Sequence, residues 1–149
     1  MAHVRTQIRD RVITTLSGLT TTGSRVYRSR VYPMSSATMP GICVYCMDEK
    51  GQDETEDLLT KSVSVVVDGY VSGDDFDDDV DTIQAEVETA LYGDYNSSTD
   101  RFFNGLVLDL SFTAADSKYN GEAKIKHGII RMVFTALYLI NRGAPETAL

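Results

Sequence analysis

The run LLTKSVSVVVDGYV, residues 58–71, constrains this chain more than any other stretch. Val63, Val65 and Val67 fall on one face and Ser62, Ser64 and Val66 on the other, which is the period of a long strand. β-Branched side chains suit a pleated surface because two heavy atoms on Cβ limit them to few rotamers. Partners for that strand have to come from the rest of the chain.

ICVYCM, residues 42–47, is β-branched and aromatic and reads as a strand. Between it and the valine run lies DEKGQDETED, Asp48 to Asp57, with no apolar residue. The expectation is a hairpin with a solvated ten-residue loop, too long for a tight turn. RVYRSRVYP suggests extended chain ending at Pro33. LVLDLSFTA alternates, with Leu106, Leu108, Leu110 and Phe112 on one face. A turn is expected at DSKYNGEAK, which contains the hairpin dipeptide Asn120-Gly121. The apolar positions of residues 125–140 fit both helix and strand periods; Gly128 and the β-branched content favour a strand antiparallel to the preceding one. NRGAPETAL, residues 141–149, reads as a mobile tail.

Two segments carry helical spacing. The first is Val4, Ile8, Val12, Ile13, Leu16 and Leu19, stopped by TTTGS with Gly23 as the breaker. The second is Phe76, Val80, Ile83, Val87 and Leu91. The order is α-β-β-β-α-β-β: an α+β single domain over residues 1–140, with a mostly antiparallel sheet and two helices packed on it.

The second helical segment competes with a metal reading. Asp75, Asp77 and Asp79 alternate, and Glu86 lies eleven residues after Asp75, nearly the spacing of an EF-hand calcium loop. That loop needs glycine at its sixth position, where this chain has Val80. The residues entering it read as a strand, not a helix, and the apolar stripe runs straight through it. On a helix the three aspartates do not converge; they meet the positive end of the helix dipole instead.

Other chemistry is sparse. Cys43 and Cys46 form a C-x-x-C, but on a strand residues three apart point to opposite faces, and no second ligand pair completes a zinc site. Buried, inert thiols are the plainer reading. The two histidines, His3 and His127, sit near element ends. No G-x-S-x-G, P-loop or G-x-G-x-x-G occurs, so no nucleophile elbow or phosphate cradle is suggested. No catalytic residue, metal or cofactor is expected. A net charge of −8 disfavours general binding to nucleic acid or anionic membrane. The N-terminus lacks the apolar core of a signal peptide, and the longest apolar stretch, about 13 residues ending at Ile140, contains Arg131, where a membrane span needs about 20. Synthesis in the cytosol is the expectation. Within RVYRSR, Arg25, Arg28 and Arg30 with Tyr27 would suit nucleic acid, an edge strand guarded by charge, or an acidic neighbouring subunit; the last two fit the acidic chain better.

Taken in order, RVYRSRVYP, MPGICVY, the acidic loop, SVVVDGYV and the acidic helix ending AEVETAL resemble the lambda-type tail terminator (minor tail protein U) family of long-tailed phages. The match covers most of residues 4–140 and rests on order and spacing, since each piece is short. The 141–149 tail lies outside the pattern, and residues 92–105 are longer and more aromatic than it calls for. The resemblance implies a sheet flanked by helices and a homo-hexameric ring in the virion, assembled in the bacterial cytoplasm. Such a ring caps the tail tube, stops its polymerisation and offers a docking surface to the head's connector. DNA passes through its lumen without specific binding, and no cofactor or catalysis is involved. On that reading Arg25, Tyr27, Arg28 and Arg30 are candidates for the subunit interface. Asp48, Glu49, Lys50, Gln52, Asp53 and Glu54, with Asp116, Lys118, Tyr119 and Asn120, are candidates for loops facing the tube or connector. Another ring protein of the neck or tail, for head completion, head–tail joining or the tube itself, is the alternative. A small hydrolase or ligand-binding domain would need convergent polar groups that the sequence does not display.

Overall fold

A computed structural model describes residues 2–28, 39–73, 75–95, 103, 105–120 and 126–149. Along the chain run α1 (Val4–Leu16), β1 (Val26–Tyr27), β2 (Gly41–Asp53), β3 (Leu58–Ser72), α2 (Phe76–Tyr95), β4 (Asp109–Asn120) and β5 (His127–Asn141). This is the α-β-β-β-α-β-β order of an α+β domain. The five strands form one mixed sheet in the order β1-β2-β3-β5-β4, with β1 parallel to β2 and every other pair antiparallel. The segment ambiguous between helix and strand is a strand, and it lies at the heart of the sheet between β3 and β4.

Both helices pack on one face. α1 contributes Val4, Ile8, Val12 and Leu16, and α2 contributes Val80, Ile83, Val87 and Leu91, all buried. They meet Ile42 and Val44 of β2, Val63, Val65, Val67 and Val71 of β3, and Ile130, Met132, Phe134, Ala136, Tyr138 and Ile140 of β5. Each such side chain contributes about 1.5–3 kcal/mol by leaving water. The helices are clamped together as well. Arg11 donates through Nε and Nη2 to the Asp94 carboxylate at 2.9 and 2.8 Å, and the Thr15 hydroxyl donates at 2.6 Å. The Arg11 guanidinium lowers the Asp94 pKa below the ordinary carboxylate value. The stability this adds is present above the unfolded value and lost as pH falls through the folded one. Asp94→Ala should cost about 1–2 kcal/mol in urea unfolding at neutral pH, and progressively less as acid protonates the carboxylate; a cost that does not change with pH would show that the charge is irrelevant.

Several boundaries differ from the sequence reading. α1 stops at Leu16, not Leu19: the Ser17 amide closes on the Ile13 and Thr14 carbonyls and Gly18 takes φ +95°, a conformation few other residues accept. His3, which the sequence places near an element end, caps α1 by accepting the Arg5 amide on Nδ1 at 3.0 Å. The ten-residue loop is mostly strand. Lys50 pairs with Ser62, Gln52 with Thr60 and Asp53 with Leu59, leaving only residues 54–57 to turn. Polar composition there reports exposure, not lack of pairing. DSKYN is likewise the end of β4, so Asp116, Lys118, Tyr119 and Asn120 lie on a strand. The expected hairpin turn at Gly121 falls outside the described residues. After Asn141 the chain is tied down: Ala148 bridges Ile140, the Leu149 amide donates to Leu139, and the Val4 amide donates to Pro145. These bonds lie in the segment that the sequence reading expects to be a mobile tail.

Candidate functional site

The other face of the sheet carries no helix. Here β5 presents Ile129, Arg131, Val133, Thr135, Leu137 and Leu139, most of them half-buried. At the centre sits a charge. Asp68 of β3 is 1 % exposed, inside the valine run. Its carboxylate accepts the Tyr45 hydroxyl at 2.8 Å, Arg131 Nε at 3.0 Å and Arg131 Nη2 at 3.3 Å. The register explains the meeting: Cys43, Asp68, Arg131 and Asp116 stand side by side across β2, β3, β5 and β4. Because a buried carboxylate needs a cation and hydrogen bonds to offset lost hydration, Arg131 is held over the sheet. Its side chain remains 48 % exposed and lines a small cleft of about 60 Å³ with Asp116, Lys118 and Ile129.

Burial pushes the Cys43 thiol and the Tyr45 and Tyr70 phenols each up to about 12, with the Asp68 charge adding to all three. Cys43 packs with Met39, Tyr27 and Tyr70 on this face, whereas Cys46 packs against the helix-side core. The two cysteines form no disulfide and diverge as strand geometry requires.

The outer edge of the sheet is the second feature. Residues 111–119 of β4 are all exposed, and among the described residues β4 pairs only with β5. Leu108, Phe112 and Tyr119, large apolar side chains more than one-third exposed, are spaced along it. A bulge between Phe112 and Ala114 interrupts the ladder, and the Phe112 amide donates to the Tyr92 hydroxyl at 2.7 Å.

The sequence-derived candidates scatter over this frame. Arg25 donates from Nε to the Pro40 carbonyl at 2.7 Å and from Nη2 to the Thr21 carbonyl at 3.2 Å, so it ties the chain entering β1. Arg28 is exposed and pairs with Asp10 of α1 at 2.6 Å. Arg30 lies outside the described residues. A bulge after Cys46 turns Glu49 toward the helix side, where it accepts the Tyr138 hydroxyl at 2.6 Å and lies 3.4 Å from Lys61 and 3.7 Å from Arg5. Burial alone would raise its pKa; Tyr138, Lys61 and Arg5 together hold it below the ordinary value. Asp48 is exposed beside that bulge. Lys50 and Gln52 line a groove of about 320 Å³ with Thr60, Ser62 and Leu137. Asp53 pairs with Arg142 at 2.9 Å, and Glu54 accepts the Thr60 hydroxyl at 2.9 Å. Tyr119 stacks obliquely on Phe76, ring centres 5.1 Å apart.

Sequence reasoning missed the Asp68–Arg131–Tyr45 cluster, although a signal was available. Asp68 and Arg131 are opposite charges, each lodged in an apolar strand, and such interruptions find each other when the strands pair. The acidic stretch after β3 is the start of α2, with Asp77, Asp78 and Asp79 in its first turn. Among the described residues no three side chains of metal-binding type gather, and no helix is long and apolar enough to cross a membrane. A shallow cavity of about 390 Å³ between residues 18–20 and α2 includes Glu86, whose carboxylate accepts the Thr21 amide and hydroxyl. The chain matches no family model and no curated sequence.

Proposed function

We propose that this chain is a ring-forming structural subunit of a long-tailed phage, the terminator that caps the tail tube and receives the head's connector. Half of its sheet is finished and half is not, and that observation carries the reading. One face is sealed by two helices, while the other face and the β4 edge are left with half-buried and exposed apolar side chains. Such surfaces mark interfaces when they are contiguous. A subunit that must meet copies of itself, a tube and a connector needs several surfaces of this kind. The segments ICVY, SVVVDGYV and AEVETAL, which carry the resemblance, lie on β2, β3 and α2. The role calls for no catalysis and no cofactor.

The mass in solution tests this first. The expected result is a species near six times the 16.4 kDa chain, or one that forms when tail tubes are supplied. Imaging with purified tubes should then show the protein at one tube end and tube growth stopped there. Long tubes formed by the protein alone would assign it to the tube itself, and a monomer that ignores tubes would refute the proposal.

A further inference from the structure

We infer that residues 145–149 form a strap that lies closed while His3 is neutral and swings free at Gly143 when His3 takes up a proton. Three parts build this device: a cap that needs a bare ring nitrogen, a strap bonded to the capped turn, and a hinge. None of them depends on ring assembly.

The cap comes first. His3 is the N-cap of α1, and its Nδ1 lies 3.0 Å from the Arg5 amide nitrogen. A backbone amide can only donate, so Nδ1 has to accept and the ring proton has to sit on Nε2. An imidazolium carries hydrogens on both nitrogens and cannot accept. Protonation therefore breaks the cap, and it adds a positive charge at the positive end of the α1 dipole. Desolvation by burial is the chief reason that the His3 pKa lies below 6.5. The charges facing it oppose one another: Glu49 of β2 and Glu146 of the strap favour the imidazolium, whereas Arg5 of α1 and Lys61 of β3 disfavour it. The cap is whole above pH 6.5 and is lost as pH falls through the lowered folded value.

The strap is bonded to the turn that His3 caps. The Val4 amide donates to the Pro145 carbonyl at 2.8 Å, and Gln7 Nε2 donates to the Glu146 carbonyl at 2.8 Å. Farther on, Ala148 bridges Ile140 and the Leu149 amide donates to the Leu139 carbonyl at 2.8 Å. When the first turn of α1 frays, the bonds to Pro145 and Glu146 go with it. The hinge is set by its neighbours. Arg142 is pinned, its amide donating to the Asp57 carbonyl at 2.7 Å and its guanidinium pairing with Asp53 at 2.9 Å. Gly143 next to it takes φ +84°. Release therefore starts at Gly143 and leaves Arg142 in place.

Amide NMR spectra of the full chain from pH 7.5 to pH 5.0 test the switch, a range above the ordinary carboxylate titrations. The Val4, Ala148 and Leu149 signals should move toward random-coil positions together with the His3 ring titration, at a midpoint below 6.5, while Arg142 stays put. His3→Asn keeps a capping oxygen and does not titrate, so in that variant the same signals should hold across the range. His3→Ala should speed Leu149 amide exchange by about fivefold at pH 7.5, the equivalent of a lost cap. Ala148 and Leu149 signals that stay fixed while the His3 ring titrates overturn the strap. The same response in His3→Asn assigns it to other groups, such as His127 at the opposite end of β5, and overturns the role of His3. A His3 midpoint at or above 6.5 overturns the proposal as well, and Arg142 moving with the strap overturns the hinge.

Discussion

Replacing Gly128 with alanine should lower the unfolding free energy by about 1–3 kcal/mol, the cost of overpacking a filled site. In a chain of this size that is about 2–4 °C of melting temperature for each kcal/mol. Gly128 has an ordinary strand conformation, so backbone freedom does not explain it. The reason is the ring of Phe76, which opens α2 and sets the Cδ2–Cε2 edge against the bare backbone. A Cβ at Gly128 would stand 2.0 Å from Cε2 and 2.1 Å from Cδ2 of that ring. The ring has little room to retreat, because Tyr119 of β4 lies against it with ring centres 5.1 Å apart. Glycine is thus what seats the first turn of α2 on β5. The double variant G128A/F76L should be more stable than the sum of the single losses implies, since the smaller side chain vacates the space the new methyl needs. A G128A protein as stable as wild type, or strictly additive losses, would show that the seat is not tight.

That contact also shows where the sequence stops being informative. Gly128 reads locally as a weak point in a strand, and nothing near it names Phe76, fifty-two positions earlier. The elements were legible because their signals are local: alternating valines in β3, and a stripe at three- and four-residue steps in α2. The acidic start of α2 was legible for the same reason, since Val80 and the unbroken stripe outweigh the spacing of the aspartates. Strand length was not legible. The backbone of Lys50–Asp53 is paired although its side chains earn no burial, and a polar sequence is silent about hydrogen bonds that its neighbour supplies. The arginines of RVYRSR were legible as a cluster but not as individuals, because Arg25 is occupied by the carbonyls of Thr21 and Pro40 and Arg28 by Asp10. The edge they mark is real; the partners of each one depend on folding. Neither the bare sheet face nor the position of β4 at the far edge follows from element order alone, since the order β3-β5-β4 requires knowing that the last strand inserts beside β3.

Alkaline pH should destabilise this protein through its buried phenols and thiol, with Tyr138 in the helix-side core and a group of three on the helix-free face. In the unfolded chain a thiol releases its proton near 9 and a phenol near 10. In the folded chain Cys43, Tyr45 and Tyr70 hold theirs until about 12, chiefly because burial penalises the charged forms. Between those limits the native state binds more protons than the unfolded state, so stability is whole below pH 9 and falls as pH rises toward 12. Each fully engaged group steepens the fall by up to about 1.4 kcal/mol per pH unit. Tyr45 is the sharpest case. Its hydroxyl donates to Asp68 at 2.8 Å, so ionising it would set two negative oxygens together on a buried carboxylate, with Arg131 as the cation bonded to that carboxylate. Urea midpoints measured from pH 8 to pH 11 should therefore drop more steeply for wild type than for Tyr45→Phe or Tyr70→Phe. Tyr45→Phe should also start about 1 kcal/mol lower at pH 8, because its hydrogen bond is gone. The slope separates the causes: a lost bond lowers the curve, whereas a lost titrating group flattens it. Parallel curves for wild type and both variants would show that these phenols do not govern the alkaline limit. If a neighbouring subunit covers this face, assembly should shift the onset upward, because a covered phenol is harder still to ionise, and dilution to the monomer should bring it back.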